Sequence, residues 1–327
     1  MNSTSSNHSN FRLLNNIDPK FLYPLCGAYI TIIAIAIVGN IFVFFMITFT
    51  PSLRRSATNV FILSLSISDL LTAAITMPLE AEILIRDGQW YHGETMCNVW
   101  TTLYLIAVPT SILTLLAVSI DRYKTLSDPL NKYKRTRFMT RRRARGVVFV
   151  LWLYSILFAL VPQMGWKFSS VSIHYGRCNF NITHTYSALS SIVNFIVPLL
   201  MTSLIYLKIY HIAKKDVIYS NTDRKSSLGQ TRDQKILMKN LKAAKTILVI
   251  VCGFFLCWFP FTVLSLIGGF CKDCARSIPH SLNPLLLLLG YTNSALNPYL
   301  YSFRNKRFRD SSKKIVKRLS KKSSSIK

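Results

Sequence analysis

Seven stretches of the chain are nearly unbroken apolar runs, roughly 22–49, 57–85, 96–126, 146–165, 187–212, 243–268 and 281–302. The best-defined connections between them, 50–56, 86–95, 127–145 and 269–280, are short and polar. Each run reaches the roughly 20 residues that an α-helix needs to cross a bilayer. Backbone groups in hydrocarbon must be satisfied within their own segment, so helix is the expected form. The pattern predicts an all-α membrane protein, a bundle of seven transmembrane helices over 22–302. After it, "SFRNKRFRDSSKKIVKRL" alternates basic and apolar positions. Phe303, Phe308, Ile315, Val316 and Leu319 predict an amphipathic helix over 303–319, lying on the inner leaflet with its basic face toward anionic lipids. A Ser- and Lys-rich tail, 320–327, follows.

Composition agrees: 50% of the residues are hydrophobic and 16% charged, a balance that excludes an ordinary soluble enzyme. The net charge of +27 would point to a polyanion partner in a soluble protein. Here the basic residues fall in bursts between the apolar runs, with no zinc-finger spacing and no aromatic-basic interleave, so nucleic acid is not the expected partner. Of the 40 Lys and Arg, 33 fall on one side of the predicted bundle and 7 on the other. The positive-inside rule therefore puts segment 1–21 outside the cell and the tail in the cytoplasm. The first 20 residues are polar, so no cleavable signal peptide is expected and insertion falls to the first apolar run. The sequons at Asn2, Asn7 and Asn181 all land on the outer side, where glycosylation takes place. Cys97 and Cys178 also lie there and can pair in an oxidising compartment, as can Cys271 and Cys274 in the last outer loop.

Polar residues inside the apolar runs need partners or a water-filled cavity. Asp69 sits mid-helix in "LSLSISDLL", and Asn40, Ser111, Asn293 and Asn297 are the polar residues able to converge on it. One carboxylate with hydroxyl and amide oxygens suits a monovalent cation or a proton relay; a hydrogen-bonded packing network without an ion fits equally well. At the inner end of the third helix, Asp121-Arg122-Tyr123 places an acid beside an arginine that can change partners if helices move. Pro260 and Pro298 remove helical hydrogen bonds beside Trp258 and Asn297, which favours a bundle able to move over a rigid one.

Taken in order, Gly39-Asn40, Asp69, Trp90, Cys97 with Cys178, Asp121-Arg122-Tyr123, Trp152, Pro198 with Tyr206, Cys257-Trp258-Phe259-Pro260 and Asn297-Pro298-Tyr299-Leu300-Tyr301 resemble the rhodopsin-like G-protein-coupled receptors over about 290 of the 327 residues. The resemblance implies a plasma-membrane receptor that passes the signal of a small extracellular ligand to a heterotrimeric G protein, with arrestin and receptor kinases as further partners. It implies sodium held by Asp69, Ser111, Asn293 and Asn297 in the inactive state. It also implies a switch in which Trp258 and Pro260 couple the pocket to the sixth helix while Arg122 turns to the G protein, supported by Tyr206 and Tyr301.

Within that family the look is of the biogenic-amine receptors, through "LAVSIDRY", Ser190-Ser191, Cys271/Cys274 and "GYTNSALNP". The resemblance then implies a pocket of Tyr104, Val108, Ser190, Ser191, Asn194, Trp258, Phe261, Thr262 and Tyr291. Those receptors hold an ammonium with an aspartate where this chain has Tyr104. Either Glu80 or Glu82 supplies the anion from the second helix, or the ligand is not a simple amine. The family's acidic lock on the third-helix arginine is also missing, replaced by Asn240 between Lys239 and Lys242, which predicts raised ligand-independent activity. A retinal-binding reading fails because no lysine lies between Arg276 and Arg304. A transporter would show repeats or several charges along one path, and the scattered His residues support no catalytic centre.

Overall fold

The apolar runs become helices in the computed structural model, the fourth ending early at Leu160 before a separate 3₁₀ turn, Pro162–Met164. The structure describes residues 19–127, 138–178, 180–223, 232–271, 274, 277–279, 281–304 and 308–313. Helix α1 is Pro19–Phe49, and a single turn, Pro51–Arg54, leads into α2. Helix α2 runs as Ala57–Leu71, a π-helical turn Thr72–Thr76, and Met77–Ile85. Helix α3 is Gly93–Ser127 and α4 is Arg141–Leu160. Helix α5 runs as His184–Ser191, a second π-helical turn Ile192–Ile196, and Val197–Asp223. Helices α6 (Arg232–Phe270) and α7 (Leu282–Arg304) complete the bundle, and a short helix lies over 308–313.

Both π-helical turns have the same cause. Pro78 and Pro198 each clash with the carbonyl four residues back, at Ala74 and Asn194, and the wider turn absorbs that carbonyl. The helix continues instead of breaking. Helices α5 and α6 also run further into the cytoplasm than their apolar runs, to Asp223 and from Arg232. Water can solvate side chains there without unwinding a helix, so the apolar pattern marks the membrane-embedded part and not the helix end.

Six helices are long and apolar enough on their own to cross a membrane, among the described residues. Helix α7 is not one of them, because Asn283, Asn293, Ser294 and Asn297 interrupt its leucines. Three of these, Asn293, Ser294 and Asn297, are buried in the bundle, so α7 hides its polarity among protein neighbours and away from lipid. Helix α1 packs against α7 closely enough that a Cβ on Gly39 would lie 2.8 Å from Pro298 Cγ. Phe308 is buried and meets the ring of Phe42 edge-on at 5.9 Å, which ties the short inner helix to α1. The remaining predicted apolar positions, Phe303 with 315, 316 and 319, have side chains outside the described residues.

On the outer side a two-residue hairpin, β1 (Ile173–His174) and β2 (Arg177–Cys178), lies across the bundle. The Cys97–Cys178 disulfide fastens it to α3, and Cys271–Cys274 closes a second, local bridge. Ser172 adds two ties to α3, its N–H donating to Glu94 Oε1 (3.0 Å) and its hydroxyl to Asn98 Oδ1 (2.7 Å). The hairpin turns at Gly176, at φ 74°, where a Cβ would also sit 2.6 Å from Gln89 Oε1.

Candidate functional site

Beneath the hairpin, a cavity of about 500 Å³ opens between α3, α5 and α6. Its α3 wall is Tyr104 and Val108, and its α5 wall is Ser190, Ser191 and Asn194. Trp258, Phe261 and Thr262 come from α6. Eight of the nine residues expected to form the pocket proper therefore share one cavity; the ninth, Tyr291, is fully buried behind Trp258, with ring centroids 6.0 Å apart. The two glutamates do not line it. Glu82 is on the outer flank, paired with Arg86 (2.7 Å) and His92 (2.8 Å).

The cavity also takes residues that pattern reading missed. Phe180 and Ile182 reach it from the loop just after Cys178, and His184, Ser187 and Ser265 line it as well. The disulfide was the available signal, since a loop pinned to α3 at Cys178 must lay its next residues over the bundle mouth. Ser265 Oγ lies 3.1 Å from Ser187 Oγ and 3.5 Å from Ser191 Oγ, bridging α5 and α6. Asn194 is held by Tyr154, whose hydroxyl donates to its Oδ1 at 2.9 Å. One wall is thus aromatic and the other hydroxyl-rich, a combination suited to a ring bearing hydrogen-bonding substituents. Among the described residues, no acidic one lines the cavity.

Trp258 forms part of the boundary. It stacks on Phe254 at 6.3 Å and meets Phe261 and Tyr104 edge-on at 6.0 and 6.1 Å. A Cβ on Gly290 would lie 2.9 Å from the indole, so a glycine is what lets α7 approach this ring. Pro260, two residues on, stays within an unbroken α6.

Below it, Asp69 is buried and accepts from two α7 donors, Ser294 Oγ (2.8 Å, Oδ1) and Asn297 Nδ2 (2.9 Å, Oδ2). Asn40 Nδ2 donates to the Ser294 carbonyl at 2.9 Å. Ser111 meets Ser68 at 2.8 Å and does not reach Asp69 by a direct hydrogen bond. Ser294 is a partner that the sequence did not single out, and Asn293 is buried nearby in the same turn. The Oδ1 atoms of Asn40 and Asn297 are buried acceptors with no donor among the described residues. A carboxylate and two idle carbonyl oxygens form a donor set that a monovalent cation fits.

At the cytoplasmic end, Arg122 pairs with its neighbour Asp121 and donates from Nη2 to Thr58 Oγ1 on α2 at 2.8 Å. Tyr206 is buried beside Ser119 and Arg122, and the Tyr123 ring lies under Lys208 Nζ at 5.8 Å. The side chains of Asn240 and Tyr301 lie outside the described residues, as do Asn2 and Asn7. Asn181 is placed, and its side chain is occupied: Oδ1 accepts from the N–H groups of Phe168 and Ser169, both at 3.1 Å. Its Nδ2 donates to the carbonyls of Ser169 (2.7 Å) and Val171 (3.2 Å).

The chain matches the family model described as "7 transmembrane receptor (rhodopsin family)" over residues 39–301. It is 32% identical to Dopamine receptor 1 of Drosophila melanogaster, over 89% of this chain and 62% of that protein. It is 29% identical to Octopamine receptor beta-1R of the same fly, over 88% of this chain and 60% of that receptor. With human 5-hydroxytryptamine receptor 4 it shares 33% identity over 85% of this chain and 76% of that protein. The chain thus spans about three-fifths of the length of the two fly receptors.

Proposed function

This chain belongs to the rhodopsin family of seven-transmembrane receptors, and from that premise we propose that it binds a small extracellular ligand in the cavity over Trp258 and signals to a heterotrimeric G protein. It is a multi-pass plasma-membrane protein with an extracellular N-terminus, and a signalling receptor rather than an enzyme. The observation that carries the proposal is the position of Trp258. The same indole bounds the cavity and touches α7 at Gly290, one helical turn above Ser294 and two above Asn297, which hold Asp69.

A ligand shifts an equilibrium between packings only by binding one of them better. Contact with Trp258 gives it that leverage, because moving the ring changes its fit against Gly290 and Tyr291. The shift passes to Asp69 and then to Arg122, which must leave Asp121 and Thr58 to face a G protein. Tyr206 is positioned to receive it. Sodium at Asp69, Asn40 and Asn297, with Ser111 and Asn293 close by, would favour the resting packing by bridging α1, α2 and α7. Arrestin and receptor kinases would act at the same cytoplasmic face.

A second reading, a neutral non-amine ligand, is favoured by the absence of an acidic group among the described residues that line the cavity. The loss of the acidic lock at Asn240 favours high basal output. Second-messenger output in cells expressing the intact chain, with and without dopamine, octopamine and serotonin and beside Tyr104→Asp, tests the receptor reading. Ligand-free or amine-driven signalling by either chain supports it. Silence of both at normal surface density refutes it.

A further inference from the structure

The described acidic groups on the outer half of the molecule can be taken one by one. Glu82 is engaged by Arg86 and His92. Glu94 accepts the Ser172 N–H. Asp87 sits in the exposed turn between α2 and α3 at φ 55°. Asp69 lies deeper and is held by Ser294 and Asn297.

Glu80 differs from all of these. It lies within the span Ala57–Ile85, is partly exposed inside the bundle, and makes no hydrogen bond or ion pair with another described residue. It stands one helical turn outward of Thr76 on α2, which is fully buried and whose carbonyl accepts from Trp100 Nε1 of α3 at 3.2 Å, so Glu80 lies on the α2 face turned toward α3. Its charge couples to three phenols, Tyr29 on α1, Tyr104 on α3 and Tyr291 on α7. The Tyr29 hydroxyl is already spent on the Pro284 carbonyl at 2.9 Å, and its ring meets Tyr291 edge-on at 6.3 Å. Tyr104 belongs to this group and also lines the cavity, so it is the ring shared between Glu80 and that cavity.

A carboxylate inside a membrane bundle without a partner asks for a cation. Aromatic rings around it add attraction for an organic cation in particular, through their negative faces. We propose that Glu80 is the ammonium anchor of this receptor, in a subsite bounded by Tyr29, Tyr104 and Tyr291, and that the ligand is a protonated arylalkylamine whose ring occupies the cavity beside it. The anchoring charge has then moved from α3, where Tyr104 stands, to the neighbouring wall on α2. This rests on the receptor reading above and narrows it to a ligand class.

The test uses the full chain in lipid nanodiscs and thermal unfolding with increasing dopamine, octopamine or serotonin. Each amine is paired with a neutral analogue in which a hydroxyl replaces the amino group. At least one amine is expected to stabilise the intact chain more than its neutral partner. Glu80→Gln should weaken that amine by about tenfold or more, as removal of one member of a desolvated charge pair does, and leave the neutral analogue's effect unchanged. The unliganded Glu80→Gln chain should be at least as stable as the intact one, since an unpaired charge within the membrane span is gone, and Glu80→Asp should keep part of the amine's effect. Undiminished amine binding by Glu80→Gln overturns the proposal, as does a loss seen in Glu82→Gln instead. If no amine binds the intact chain but Tyr104→Asp acquires amine binding, the anchor was lost and not moved, and the receptor reading survives alone. If neither chain binds an amine, the Glu80 proposal is overturned, while the signalling assay decides the receptor reading.

Discussion

Replacing Thr58 by alanine should raise the ligand-free activity of this receptor. Thr58 Oγ1 accepts a hydrogen bond from Arg122 Nη2 at 2.8 Å, and the other restraint on that guanidinium is its neighbour Asp121. The hydroxyl thus stands in for the acidic lock absent at Asn240. A hydrogen bond to a charged group contributes about 1.5–3 kcal/mol. The Arg122 side chain is 15% exposed, so water recovers part of this. The remaining loss of about 1 kcal/mol corresponds to roughly a fivefold shift toward packings with Arg122 released. Nucleotide exchange on a G protein by unliganded receptor, at matched surface density, reads that shift directly. Thr58→Ser keeps the hydroxyl and should behave as the intact chain. Basal exchange unchanged in Thr58→Ala, or raised equally in Thr58→Ser, would refute the assignment.

Other expectations follow from single contacts. Gly39→Ala places a methyl group 2.8 Å from Pro298 Cγ and should lower the unfolding temperature, at a cost of about 1–3 kcal/mol for overpacking between α1 and α7. Asp69→Asn removes the carboxylate at the centre of the polar cluster of α1, α2 and α7, so any stabilisation of the intact chain by sodium chloride over choline chloride should vanish in the variant. Asn181 should carry no glycan in the folded receptor, because both amide hydrogens are donated to loop carbonyls at 2.7 and 3.2 Å; mass spectrometry of the peptide containing it, from protein made in animal cells, should find it bare.

How much of this was legible in the sequence depends on which force sets each feature. Burial of apolar side chains acts at long range along the chain, and the seven runs, the orientation and the outer placement of Cys97 and Cys178 follow from it and from charge placement, while their pairing is seen in the structure. Helix length does not, because α5 and α6 continue past the point where lipid stops rewarding apolar residues. Partner choice is also invisible to pattern. Asp69 takes Ser294 and Asn297, while Ser111 takes Ser68, a difference fixed by rotation of α7 against α2 and α3. Asn181 carries a glycan-acceptor motif in the sequence, and the four backbone contacts by which it clamps its loop are contained in no local pattern. Thr58 was missed for the same reason, being 64 residues from Arg122 in sequence.

The cavity, neutral among the described residues, and the tethered arginine constrain each other. Moving a two-state receptor from about 1:99 to 99:1 requires a differential affinity of about 5.5 kcal/mol. A ligand confined to rings and hydroxyls would have to draw that difference from Trp258 and its stack on Phe254, where an aromatic pair contributes about 0.5–1.5 kcal/mol beyond burial. Two routes close the gap. The resting packing can be weakly held, and an arginine secured to α2 by a single hydroxyl is consistent with that, so a modest ligand effect suffices. Alternatively the ligand draws on a charge, and Glu80 is the described outer-half carboxylate inside the bundle that has not already been spent. The two routes predict opposite basal states: a chain with high ligand-free output needs little from Glu80, whereas a quiet one needs nearly all of it. Measuring Thr58→Ala and Glu80→Gln in the same cells therefore shows which of the two contacts sets the balance, since only one of them can dominate.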